Sequence, residues 1–177
     1  RIDDKCHFIA NGSLNKIIEG DDKYIDKERY DLILVDEAHK FRNHRSLQFQ
    51  NLQIVCKAGR ENIGGVAGIE KKVVLISATP LNNKPEDIYY LISLFQDMRN
   101  SNLSESNLQK FFSLPIQNYK INIQKEHLDL QAIHSIFEEI RDKVIKDITI
   151  RRTRTDLLRN ERYRNDSTPC RATTSGT

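Results

Sequence analysis

No run of apolar residues in this chain approaches the roughly 20 needed to span a bilayer. Nothing behind Arg1-Ile2-Asp3-Asp4-Lys5 has the apolar core of a signal peptide. The chain does not begin with methionine, so it is expected to be a piece of something longer. Its three cysteines, Cys6, Cys56 and Cys170, are far apart, odd in number and without a Cys-x-x-Cys pair. That suggests neither a disulfide frame nor a zinc site, and a reducing, cytoplasmic setting is the default expectation. Cys6 and Cys56 sit among apolar residues and read as small core fillers. His39 and His44 are not at a metal-binding spacing. A net charge of +3 is too small to imply nucleic acid by itself, so that inference must rest on motifs. No internal repeat is present. The length of 177 residues suits one domain, or one domain with a helical appendage.

A phosphate-gripping loop is also missing. Ile63-Gly64-Gly65-Val66-Ala67-Gly68 is rich in glycine, but Ile69-Glu70-Lys71-Lys72 follows it and a strand comes next. A Walker A loop needs Gly-Lys-Ser/Thr opening a helix, with the lysine reaching the phosphates. The stretch reads as a surface loop, and no other stretch qualifies.

What is present centres on Tyr30-Asp31-Leu32-Ile33-Leu34-Val35-Asp36-Glu37-Ala38-His39. Leu32 to Val35 is a short, branched, apolar run, which predicts a parallel-sheet strand buried on both faces. It stops in two carboxylates, one small residue and a histidine. Ligand sites in open α/β sheets lie outside the carboxyl ends of strands. One acid there can hold a magnesium ion, which wants hard oxygen ligands, and the other can orient or deprotonate a water. A solvated acidic turn is the bland alternative for a lone Asp-Glu pair.

Asp36-Glu37-Ala38-His39 resembles the DEAH form of the Walker B motif of superfamily-two helicases. Lys72 to Ile76 is a second strand-like run and ends in Ser77-Ala78-Thr79-Pro80-Leu81-Asn82-Asn83. That segment resembles the Ser-Ala-Thr motif of the same helicases, in the extended form of Swi/Snf-type DNA translocases. Ile150-Arg151-Arg152-Thr153-Arg154-Thr155-Asp156-Leu157 resembles the basic segment that follows the first motor lobe there. The three motifs fall in the family's order across roughly residues 30–158. The missing Walker A loop is the largest departure from the family.

The remaining elements follow from periodicity and caps. Lys5 to Ala10 reads as a first strand. Ser13 then caps a helix from Leu14 to Glu19, and Gly20-Asp21-Asp22 ends it. Lys40, Arg42 and Arg45 with Phe41 form either a phosphate-holding loop or a solvated loop anchored by the Phe. Ser46 caps a helix to Ala58, stopped at Gly59. Pro85 opens the next helix, with Glu86 and Asp87 at its amino end. Ser104 begins a short helix ending near Phe111-Phe112, and Pro115 to Gln124 reads as irregular. The aliphatic stripe Leu128, Ile133, Ile136, Phe137, Ile140, Val144, Ile145 and Ile148 predicts a long helix over roughly 128–146. The tail from Asp166 is expected to be disordered.

The expected fold is therefore α/β. It is a partial RecA-like (P-loop NTPase) parallel sheet with flanking helices and a C-terminal helical extension. Residues 1–98 would be the second half of an ATP-binding lobe, 99–160 a helical insertion with a basic segment, and 161–177 a tail. The resemblance implies an ATP-driven motor on duplex DNA, with ATP and Mg²⁺ as cofactors and a second RecA-like lobe as partner. It implies that Asp36 places Mg²⁺, Glu37 positions water, and His39 bonds toward Ser77 or Thr79. It further implies that Ser77, Ala78 and Thr79 couple hydrolysis to DNA motion. Lys40, Arg42, Arg151 and Arg152 would lie near DNA or the lobe junction. A non-enzymatic interaction module and a restriction-system motor subunit are the alternatives.

Overall fold

The computed structural model describes residues 6–20, 27–59, 71–77 and 84–150. Two short strands lie at its centre. Strand β1 (Leu32–Val35) pairs in parallel with β2 (Lys72–Leu75), Leu32 opposite Lys72 and Val35 opposite Leu75. Branched apolar side chains suit this pleated pairing. A parallel pair cannot be closed by a tight turn and needs a crossover. Helix α2 (Leu47–Lys57) lies on that crossover, preceded by a one-turn 3₁₀ helix, Ala38–Phe41. Ser46 caps α2 as expected, its hydroxyl accepting from the Phe49 amide at 3.2 Å.

One face of the pair carries Ile33, Val35, Val73 and Leu75. It packs on a core built from α1 (Leu14–Glu19), the 3₁₀ helix and α2, with Leu14, Ile17, Phe41, Phe49, Leu52 and Val55 all buried. The other face stays open. Leu34 is 61% exposed and Ile76 49%, so the expectation that β1 is buried on both faces is corrected: among the described residues only one layer covers the pair. The first strand expected before Ala10 is likewise not formed by residues 6–10. Ser13 does precede α1, but its side chain makes no capping bond. Gly20 ends α1 in a left-handed conformation, φ 77°, which a residue without a Cβ adopts freely. Of the two cysteines read as core fillers, Cys56 is buried and Cys6 is exposed.

Helix α3 (Pro85–Ser93) joins this core to a second one. Leu91 and the following Leu94 face the first core, whereas Ile88 and Ile92 face the second, with Leu108, Phe112, Ile136, Ile140 and Val144. Proline at the first helical position removes an N–H that would have no partner there. Between α3 and the next helix, Gln96 Oε1 accepts from Ser101 Oγ and from the Asn102 amide. Ser104 Oγ donates to Asp147 Oδ2 at 2.7 Å. These bonds hold residues 101–106 in bends, so the short helix expected from Ser104 does not form.

Instead α4 runs unbroken from Leu108 to Ile123, capped by Asn107 and passing through Pro115. The irregular segment expected over 115–124 is therefore corrected. A mid-helix proline costs about 3 kcal/mol. The buried Phe112 and Pro115 on one face supply the offsetting contact. A buried Asn122 then turns the chain. Its amide nitrogen donates to the Asp129 carbonyl at 3.2 Å, and its amide oxygen accepts from the Asp129 N–H at 3.0 Å. Asp129 caps α5 (Leu130–Ile140), which continues as a π turn over Arg141–Ile145. This covers most of the helix predicted over 128–146.

The Lys71 amine, just before β2, donates to the Val55 carbonyl at 3.1 Å and to that of Lys27. It thereby satisfies a carbonyl in the last turn of α2. Burial lowers its pKa, while burial pushes the neighbouring Cys56 thiol up to about 12.

Replacing Phe112 with Ala is expected to cost about 3–5 kcal/mol, read from the urea midpoint; a loss below about 1 kcal/mol would contradict its core position. The raised Cys56 pKa sets a second expectation. Between the ordinary thiol value of 9.0 and about 12, the unfolded chain gives up that proton first. Stability is therefore lost as pH rises through this window. In melts from pH 8 to 11, Cys56→Ala should decline less steeply than the parent chain.

Candidate functional site at the carboxyl ends of the strands

The strand pairing does not stop where the strands do. The Ile76 amide donates to the Val35 carbonyl at 2.8 Å, and the Ala38 amide donates to the Ile76 carbonyl at 2.9 Å. Asp36 and Glu37 lie between these two bonds, and Ser77 follows Ile76 directly. The acid pair and the serine therefore leave the sheet at one end, on adjacent chains.

The local conformation is tight. Glu37 has φ 52° and ψ 44°, the left-handed region, and is the one described residue other than glycine with positive φ. For a side chain with a Cβ that region costs about 1–2 kcal/mol. Its amide donates to Asp36 Oδ1 at 2.8 Å. Its carboxylate Oε2 lies 2.9 Å from His39 Nδ1. The contact has the distance of an ion pair, but it lacks the alignment of a hydrogen bond: Nδ1 is buried without an aligned partner. Ala38 and Phe41 are buried beneath the turn, and Arg42 Nε donates to the His39 carbonyl at 2.8 Å. Packing and these bonds hold the strained backbone in place.

The expected residues are placed as follows. Asp36 and Lys40 are exposed, and Glu37, His39 and Arg42 are half-buried. The described contact of His39 is to Glu37. Arg42 braces the turn through Nε, so its guanidinium is not wholly given to solvent. Ala78, Thr79, Arg151 and Arg152 lie outside the described residues. So do the glycine-rich loop over 63–68 and the tail. Asp36 fits a magnesium site of the sparse kind, in which one or two carboxylates act with substrate phosphates. No group of three or more acidic, His or Cys residues among the described residues could hold a metal by itself.

One contact had no signal in the sequence. The His44 ring stacks on Tyr90, centroids 3.7 Å apart and planes 12° from parallel. Phe49 meets the same Tyr90 ring edge-on at 6.3 Å. The loop behind the acids is thus joined directly to α3, the helix that follows the Ser-Ala-Thr segment. His44 and Tyr90 are 46 positions apart, and nothing in the local pattern of either pairs them.

A mixed α/β chain with two parallel strand ends presenting an acid pair beside a serine is the class defined so far. The family follows from comparison. The model of the SNF2-related domain matches residues 12–163, and the chain belongs to that family. A Bacillus subtilis (strain 168) protein named "Uncharacterized ATP-dependent helicase YqhH" is 31% identical over 67 residues, covering 38% of this chain and 10% of that protein. The chain thus aligns with about a tenth of its curated relative's length. No solved structure matches it. Among the described residues no helix is long and apolar enough to cross a membrane.

The stacked pair is open to direct measurement. A double-mutant cycle on His44→Ala and Tyr90→Leu, read by urea denaturation, is expected to give a coupling of about 0.5–1.5 kcal/mol; strict additivity would mean the rings do not interact.

Proposed function

We propose that this chain is part of an ATP-dependent DNA translocase of the Swi/Snf type, contributing the acidic rim of the first RecA-like lobe. The observation that carries this reading is the Ala38-to-Ile76 hydrogen bond, which fixes the acid pair and Ser77 at one end of a parallel pair. The open apolar face of Leu32, Leu34, Val74 and Ile76 supports a larger sheet, because parallel sheets are covered on both sides. Residues 1–98 belong to that lobe, 99–160 form a helical insertion with a basic segment, and 161–177 are a tail.

In the assembled motor, bound Mg²⁺-ATP supplies the metal charge and the phosphoryl group. Asp36 offers the metal an exposed carboxylate, of which Oδ1 already accepts from Glu37 N–H. Glu37 orients the attacking water and receives its proton. Phosphoryl transfer depends mostly on positioning and electrostatics, so small displacements of these two acids matter greatly. Ser77, Ala78 and Thr79 carry the response toward DNA. Lys40, Arg42, Arg151 and Arg152 lie near the DNA backbone or the second lobe. Duplex DNA is the track, and the setting is cytoplasmic.

The isolated chain lacks the lysine loop that grips phosphates, so it is expected to hydrolyse ATP very slowly or not at all. Joined to a Walker A loop and a second lobe, it should show DNA-stimulated turnover that Glu37→Gln lowers by about 10²–10⁴-fold. Robust turnover by the isolated chain, abolished by Glu37→Gln, would overturn the need for those parts. An unaffected Glu37→Gln in the joined protein would instead favour a non-enzymatic module.

A further inference from the structure

Glu37 combines two features that do not usually occur together. It occupies a backbone region that disfavours its side chain, and that side chain reaches a histidine ring two residues on. A glycine or asparagine would hold the same turn with less strain. The contact with His39 is close at 2.9 Å but unaligned, and among the described residues the buried ring nitrogen has no other partner. A buried polar atom in that position favours any small rotation that completes its bond.

We propose that His39 is a positioning residue for the Glu37 carboxylate, and that the left-handed turn is strain retained to bring the two side chains together. Glu37 has three side-chain torsions, and an exposed carboxylate would sample many orientations. Here the chain reversal at Glu37 turns the carboxylate toward the ring. The ring sits on a 3₁₀ turn whose Ala38 and Phe41 are buried, and Arg42 holds the His39 backbone carbonyl. The turn brings the acid to the ring, and the ring then sets the acid's orientation. The Ala38-to-Ile76 bond anchors that turn to the second strand, so a shift in Ser77 would be felt at the acid. The functional meaning rests on the reading of Glu37 as the water-orienting acid; the contact and the strain stand without it.

Two measurements on this chain test the proposal without nucleotide or DNA. The first is the side-chain carboxyl ¹³C resonance of Glu37, read by NMR in the parent chain and in His39→Gln. The expected result is a shifted, more mobile Glu37 signal, with amide resonances beyond residues 36–41 unchanged. An unmoved Glu37 signal would overturn the positioning role. The second compares Glu37→Gly with Glu37→Ala, which lose the same carboxylate and differ in backbone freedom. Glu37→Gly is expected to melt about 2–4 °C higher. Equal midpoints, or a lower one for Glu37→Gly, would overturn the strain. Failure of the motor reading would appear separately, as an inactive joined protein whose Glu37 signal still responds to His39→Gln.

Discussion

One backbone hydrogen bond sets the site. The Ala38 amide reaches the Ile76 carbonyl beyond the last residue of either strand. Without it the acidic turn would be an ordinary loop, not tied to the second strand. With it, the chain carrying Asp36 and Glu37 and the chain carrying Ser77 share one rim. The bond forms because β1 and β2 are parallel and in register, which brings both carboxyl ends out together. That pairing in turn depends on α1 and α2 covering Ile33, Val35, Val73 and Leu75. Packing far from the rim thereby determines what the rim can present.

The same dependence explains where strain is tolerated. Glu37 holds its left-handed backbone because the turn is fixed at both ends, by the sheet before it and by buried Ala38 and Phe41 after it. The stacking of His44 on Tyr90 extends this rigidity to α3, whose opposite face belongs to the second core. The helical part is therefore not an independent attachment. It shares a helix with the layer that supports the site.

Much of this was legible in the sequence, for identifiable reasons. The apolar runs at Leu32 and Lys72 predicted both strands to within a residue, since short branched runs have few other uses. Ser46, Pro85 and Gly20 marked helix ends through local chemistry that the fold preserves. Long-range effects were less visible. Pro115 read as a helix breaker, but the buried face of α4 outweighed its cost. The run at Leu32 read as buried on both faces, yet hydrophobicity alone does not say how many layers cover a strand. Cys6 looked like core and lies at the surface. At the site, the acid pair and its place at a strand end were legible. The conformation of Glu37 was not, because glutamate gives no hint of a left-handed turn, and the reach of His39 follows from that turn.

Amide hydrogen exchange at Ala38 and Ile76 tests the central constraint most directly. If the ladder continues past the strands as described, both amides exchange as slowly as those within β1 and β2, limited by opening of the core. Exchange of the Ala38 amide at the rate of an exposed loop would mean the acidic turn is not tied to the second strand, and the shared rim would not exist.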